Sequence, residues 1–389
     1  MNNTLDIDAL VARIKAVLPE SSEPIALHEP RFQGNEWAYV KNCIDTGWVS
    51  TVGTYVNRFE QSLSEYTGAK HAIAVVNGTA ALHICLLLVG VERGDEVVVP
   101  SLTFVATANA ISYCGAVPLF ADSDKATLGM SAAKVDEFLV NHAEVRGGVC
   151  FNRQTGRRIA ALMPMHTFGQ PVDIDAFLAL ADKWKLPLIE DAAESLGTSY
   201  RGVHTGNFGI VSALSFNGNK IITTGGGGAI LTNNEALAKR AKHLTTTARV
   251  PHKWSFVHDE VGYNYRLPNI NAALGCAQME LLPEFLERKR QLAARYEKAL
   301  KDVAGLRFFV ERDEVHSNYW LNTILLDQQS MDHRDHVLEK LNISGLMARP
   351  AWVLMHKLPI FAEAPRMDLS VAEALEKSII NIPSSVILS

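Results

Sequence analysis

From about residue 70 onward, short apolar runs alternate with segments of helical period. "AIAVVNG" precedes "TAALHICLLLVG", "DEVVVPS" precedes "TANAISYCG", and "AVPLFAD" follows. Further along come "IAALMPM", "DIDAFLALADKWK", "LPLIED" and "IVSALSF". Successive strand residues point to opposite faces, so a strand buried on both sides reads as an unbroken apolar run. The segment opening at Asp173 behaves differently: Ile174, Phe177, Leu178, Ala181 and Trp184 recur at helical spacing on one face. Apolar strands alternating with such helices predict an α/β fold whose mostly parallel sheet is covered on both sides.

After about residue 265 the pattern changes. A long charged helical segment, "PEFLERKRQLAARYEKALKDV", precedes the strand-like "LRFFV" and "YWLNTILLD", and "DHRDHVLEKLN" is a further helix candidate. The reading is an N-terminal arm and large α/β domain over residues 1–265, with a smaller α+β domain over 266–389. Residues 97–121 carry no charge and raise the question of a membrane span. Pro100, Gly115 and Pro118 break them, so strand–helix–strand is expected instead. The start, "MNNTLDIDALVARIKAVLP", is polar and then amphipathic, without a signal-peptide core.

Composition narrows the class. Among 389 residues, 37 basic and 42 acidic side chains give a net charge of −5 with no basic block, which argues against nucleic acid as partner. Five cysteines without CxxC spacing suggest reduced thiols in the cytoplasm rather than a disulfide framework or a metal site.

In open α/β sheets, ligands gather at the carboxyl ends of strands. Three such ends carry chemistry. "VVNGTAAL" passes from strand to helix at Gly78, Thr79 and Ala80, where free N–H groups and a hydroxyl suit an anion, although Asn77 or Thr79 would equally serve as a helix cap. "LPLIEDAAES" ends in adjacent carboxylates, Glu190 and Asp191, of which only one can face a given site. "LSFNGNKIITTGGGGAIL" carries Ser215 at the strand end and Lys220 five residues later, followed by glycines that would let backbone pass close by. A phosphate cradle, a carboxylate and a lysine match the needs of pyridoxal phosphate. The lysine forms a Schiff base with its aldehyde, and the carboxylate keeps its ring nitrogen protonated. Phe104, just after "VVVP", is placed to stack on a flat ring, with core packing as its alternative.

In order along the chain, "NGTAAL", "PSLTFVATANAI", "IEDAAESLG", "SFNGNKIITTGGGGAI" and "YNYRLPNINAALGCAQ" resemble the motifs of the DegT/DnrJ/EryC1/StrS sugar aminotransferases. These are fold-type I pyridoxal-phosphate enzymes, and the resemblance runs from about Leu27 to the C-terminus. It implies that Lys220 bonds the cofactor and Asp191 pairs with its ring nitrogen. It further implies that Glu194 lies near the phenolic oxygen, that Phe104 stacks, and that Thr79, Ala80 and Ser215 bind phosphate. Asn264 of "GYNYR" would reach the phosphate of the other subunit, making the site a property of a homodimer. "GGGG" at Gly225 to Gly228 stands where many relatives read GEGG. Lys220 argues against deoxygenating relatives, which carry histidine there, and against a non-catalytic regulatory or scaffold member.

"TGWVSTVGTYVNRFE", "ARPAWVLMHKLPIF" and "NIPSS" resemble the subgroup that aminates C4 of a 4-keto-6-deoxy-N-acetylhexosamine. The implied reaction moves an amino group from L-glutamate to a UDP-linked keto sugar, with a C3- or GDP-sugar aminotransferase as the alternative. The Trp48–Thr51 turn, with Ser50, and the Arg349–His356 segment are candidate substrate contacts, while core packing is the competing role for Trp48 and Trp352. His166, also at a strand end, is left open between a site role and a structural one.

Overall fold

The computed structural model describes residues 5–388, so the polar start of the chain lies outside the described residues. The large sheet is built from β1 (His71–Val75), β2 (Glu96–Pro100), β3 (Val117–Ala121), β4 (Ile159–Leu162), β5 (Ile189–Asp191), β6 (Val211–Ser215) and β7 (Gly228–Thr232). Pairing gives β1–β7–β6–β5 and β3–β2–β4, and parallel bridges from Leu162 to Leu188 and from Met165 to Asp191 join the two sets. Every pairing is parallel except those of β7, which runs antiparallel to both β1 and β6. "GGGGAIL" gave no sign of that reversal. The connection out of β6, residues 216–227, contains no helix to serve as a parallel crossover, and the chain turns back directly as an antiparallel neighbour.

Alternation along the strands sorts the core into two layers. Ile73, Val75, Ala213 and Ile230 pack on α4 (Gly78–Leu88), α5 (Val105–Tyr113) and α8 (Glu235–Thr245). Their neighbours Ala72, Ala74, Leu214, Ala229 and Leu231 pack on α3 (Thr54–Thr67) and α9 (Asn269–Leu300). Farther along the sheet, Val98, Leu119 and Leu162 pack on α6 (Ala132–His142) and α7 (Ile174–Trp184). In α7, Asp173 caps the first turn by accepting from the Ala176 amide at 3.2 Å, and Ile174, Phe177, Leu180 and Trp184 are buried. Leu178, expected on that face, is instead exposed, and Leu180 takes its place. The uncharged stretch 97–121 folds as strand, helix and strand, and among the described residues no helix is long and apolar enough to cross a membrane.

Helix α9 begins at Asn269, well before Pro283, at which the charged helical segment was read to open. The cost of Pro283 inside the helix is offset by burial of Ala272, Cys276, Met279 and Leu282 against Phe59 and Leu63 of α3. A second, antiparallel sheet follows, with β8 (Leu306–Phe308), β9 (Asn322–Leu326), β10 (Arg349–Pro350) and β11 (Ile379–Ile382) in the order β8–β9–β11–β10. Its Ile324, Ile380 and Ile382 share a core with Leu292 and Tyr296 of α9 and with Val337 of α10 (Arg334–Ile343). Leu10 and Ile14 of α1 (Ile7–Val17) complete that core, so the N-terminal helix packs with the C-terminal sheet.

Candidate active site

At the carboxyl ends of β5 and β6, a cavity of ≈ 300 Å³ is lined by Gly78, Thr79, Phe104, Asp191, Glu194, Ser215 and Lys220. Segments far apart in sequence meet there because the strand order brings β5, β6 and the start of α4 together.

Asp191 closes β5 and is fully buried. Its Oδ2 accepts from the Thr107 hydroxyl at 2.8 Å and its Oδ1 from the Ala193 amide at 3.2 Å. Burial pushes the Asp191 carboxyl above its ordinary range, against the opposing pull of Thr107, Ala193 and the Lys220 charge. Glu190 points the other way. It accepts from His166 Nε2 at 3.0 Å and from the amides of Gly206, Phe208 and Gly209. Burial acts to raise the Glu190 carboxyl, but the His166 hydrogen bond and charge and the glycine amides outweigh it and hold it low. His166 is wholly buried, with Nδ1 facing the Val172 amide, so it belongs to this structural pair and not to the cavity.

Lys220 sits in the turn after β6, with its amide bonded to the Asn217 carbonyl at 3.0 Å. Its side chain is 12% exposed, and Nζ donates to Glu194 Oε1 at 3.2 Å. The other oxygen of Glu194 accepts from the Phe168 amide at 2.9 Å. Burial raises the Glu194 carboxyl too, partly opposed by the Lys220 charge and the Phe168 amide. The Lys220 ammonium also lies 3.9 Å from the ring centre of Trp320.

At the other side of the cavity α4 begins. Asn77 caps it, its side chain accepting from Ala80 N at 2.8 Å and its carbonyl from Ala81 N. The Ala80 amide, expected to serve an anion, is therefore committed to the cap, and the N–H groups of Gly78 and Thr79 lead the helix. Two glycines let this turn form. A Cβ on Gly78 would fall 2.9 Å from Ser215 Cβ, and one on Gly228 only 2.6 Å from the Asn77 carbonyl. The close backbone passage inferred from the glycine run is thus located at Gly228.

Phe104, half exposed, forms one wall and meets Trp352 edge-on at 6.4 Å, so it is not a core residue. Trp352, for which core packing was the competing role, lines the same cavity and packs on Phe168 at 5.0 Å. Sequence reasoning missed Thr107 and Trp320 altogether. Thr107 lies in "FVATAN" three residues beyond Phe104, where a helical turn would have put it beside that ring. Nothing in "SNYWLN" marked Trp320.

Of the expected substrate contacts, only Trp352 of the Arg349–His356 segment lines this cavity; Trp48, Ser50, Arg349 and His356 do not. Trp48 is 56% exposed, correcting its core role, and with Arg266 and Asn269 it lines a separate pocket of ≈ 550 Å³. The turn is held there because Asn269 donates from its amide to Ser50 O at 2.6 Å and from its side chain to Trp48 O at 2.7 Å. Arg349 is exposed and donates to the Asn342 side chain and the Ala348 carbonyl. His356 is taken up by Ser101 at 2.8 Å and faces Glu373 at 3.5 Å. Asn264 is exposed, bridges Thr246 and does not reach the cavity of its own chain.

The donor set fits pyridoxal phosphate. A buried carboxylate suits the ring nitrogen, helix N–H groups and hydroxyls at the narrow Gly78–Ser215 contact suit the phosphate, and an amine stands between them. Fold and site together define a pyridoxal-phosphate-dependent aminotransferase. Residues 30–389 match the DegT/DnrJ/EryC1/StrS aminotransferase family, and the chain belongs to it. It is 39% identical over 364 residues to GDP-perosamine synthase of Caulobacter vibrioides, covering 92% of this chain and 93% of that one. It is 40% identical over 364 residues to EpsN of Bacillus subtilis, covering 92% and 90%. The solved structure of the aminotransferase TlmJ from Streptoalloteichus hindustanus superposes with a TM-score of 0.84 at 29% identity, over 94% and 95% of the two chains. The chain is accordingly a pyridoxal-phosphate-dependent sugar aminotransferase.

Proposed function

We propose that this enzyme moves an amino group from L-glutamate to C4 of a GDP-linked 4-keto sugar. The observation that carries the sugar and the nucleotide is the identity, over nearly the whole chain, to proteins named GDP-perosamine synthase. A UDP-linked 4-keto-6-deoxy-N-acetylhexosamine is the second reading, favoured by "TGWVSTVGTYVNRFE" and "ARPAWVLMHKLPIF". When bound, pyridoxal phosphate supplies an aldehyde to carry the amino group and a ring to take up an electron pair.

The remaining work falls to residues of the chain. Asp191, aimed by Thr107 and Ala193, presents its carboxylate to the ring nitrogen, whose positive charge offsets the cost of burying the acid. Thr79 and Ser215 give hydroxyls to the phosphate, and Phe104 covers the ring. Lys220 Nζ takes the proton from the α-carbon of the donor and later returns one to C4 of the sugar, while Glu194 holds it in line. Phe104, Trp320 and Trp352 keep water from the reacting atoms. We further place Asn264 at the phosphate of a partner subunit in a homodimer, because it is exposed and outside its own chain's cavity. Five free cysteines, four of them buried, suit a reducing compartment such as the cytoplasm.

The test is the second half-reaction. Enzyme converted with excess L-glutamate and freed of it should regain its visible absorption on addition of a GDP-linked 4-keto-6-deoxyhexose. Recovery with the UDP-linked N-acetylhexosamine alone would overturn the nucleotide and sugar assignment.

A further inference from the structure

The Trp320 ring is clamped from several sides. Its Nε1 donates to Asn219 O at 2.7 Å, its amide donates to Asn318 Oδ1 at 2.8 Å, and its carbonyl accepts from Lys289 Nζ at 3.0 Å. Asn318 in turn donates to the carbonyls of Glu194 and Leu196 at 2.9 Å, tying the same unit to the segment that carries Glu194. Trp320 is 4% exposed and lines the cavity, with Lys220 Nζ 3.9 Å from its ring centre. Asn219, whose carbonyl anchors the indole, is the residue immediately before Lys220. The ring and the lysine are thus registered to each other through a single peptide unit.

We propose that Trp320 is a positioning residue which, with Glu194, forms the berth for the Lys220 ammonium whenever the lysine is free of the cofactor and holds a proton. The proposal rests on Lys220 being the proton-carrying lysine. An indole face attracts a cation through its quadrupole, more strongly where water is excluded, without offering a proton acceptor of its own. Glu194 alone would hold the ammonium by a charged hydrogen bond and could take its proton. The ring adds attraction without basicity, so the proton stays on Nζ for return to carbon. The benefit falls on the step in which Nζ gains positive charge, so it appears in the rate of proton transfer and not in binding of the amino donor.

The experiment follows bleaching of the visible band by L-glutamate in single turnovers, with ordinary glutamate and with glutamate deuterated at the α-carbon. Trp320→Leu should bleach about ten-fold more slowly, with the apparent KM for glutamate unchanged and a larger deuterium isotope effect. Trp320→Phe, which keeps a weaker ring face, should fall between it and the parent. In cofactor-free protein, an amine-acylating reagent read by peptide mass should label Lys220 several-fold faster in Trp320→Leu, because the berth no longer holds the ammonium. Equal bleaching and labelling in parent and variants would overturn the proposal, as would a slower rate without a larger isotope effect, the mark of a merely distorted cavity. A Lys220→Ala variant that bleaches with glutamate at the parent's rate would instead sink the assignment of Lys220 on which the proposal stands.

Discussion

Glu190 and Asp191, neighbours in β5, present their carboxylates to opposite sides of the sheet: Glu190 to His166 and three backbone amides, Asp191 to Thr107 and the cavity. The twofold repeat of a strand is enough to separate a structural acid from one placed for chemistry. Their pKa directions diverge accordingly, lowered for Glu190 and raised for Asp191.

Asp191→Asn should retain a folded protein and slow glutamate-dependent bleaching on the order of a hundred-fold, since about 3 kcal/mol is typical for removing one partner of a buried charge pair. Stopped-flow spectra check this, and an undiminished rate would remove Asp191 from the ring nitrogen.

The same substitution should stabilise the cofactor-free chain. A carboxyl whose folded pKa is raised by burial binds its proton more readily folded than unfolded, so stability falls as pH rises from the ordinary carboxylate range into the raised one. Thermal melts without cofactor should show Asp191→Asn with the higher midpoint at pH 7, and the gap should close toward pH 4. A lower midpoint at pH 7 would contradict the sign.

Glu190→Ala should do the opposite. Its lowered carboxyl contributes stability above the ordinary carboxylate range that is lost as pH falls, and truncation leaves His166 and three amides without an acceptor. A loss of about 3–5 kcal/mol at pH 7 is expected, read by urea unfolding. Glu190→Gln should lose less, and in both variants the protein that remains folded should still bleach with glutamate.

Gly78→Ala sets a methyl 2.9 Å from Ser215 Cβ and 3.1 Å from its Oγ. Overpacking of this kind costs about 1–3 kcal/mol, so pyridoxal phosphate should bind roughly ten-fold or more weakly in an equilibrium titration. Unchanged affinity would argue that the phosphate lies elsewhere.

If Asn264 serves the partner's site, inactive Lys220→Ala and Asn264→Ala subunits should regain activity when co-assembled, because one site in the mixed dimer then carries both native residues. Persistent inactivity of mixed dimers would confine the site to a single chain.

Much of this site was legible in sequence because strand ends are short, local features: Asp191 and Ser215 sit where apolar runs stop, and Lys220 follows Ser215 by five residues. The Asp173-capped helix was legible for the same reason, since cap and period lie within a few residues. What was hidden depends on distant packing. Trp320 reaches Lys220 from a segment a hundred residues downstream, and the antiparallel β7 is visible only once β1 and β6 are seen on either side of it. Arg349, His356 and Trp48 lie outside the cavity of their own chain, because a polar or aromatic residue in a short segment says nothing of where its side chain is spent. His356 bonds Ser101, while Trp48 faces another pocket.

Lys220 is the group on which cofactor bonding and proton transfer both depend. Purified enzyme with pyridoxal phosphate should show a visible absorption band that L-glutamate bleaches within single turnovers, and Lys220→Ala should bind the cofactor yet show no catalytic bleaching. A Lys220→Ala variant that responds to glutamate at the parent's rate would contradict the account.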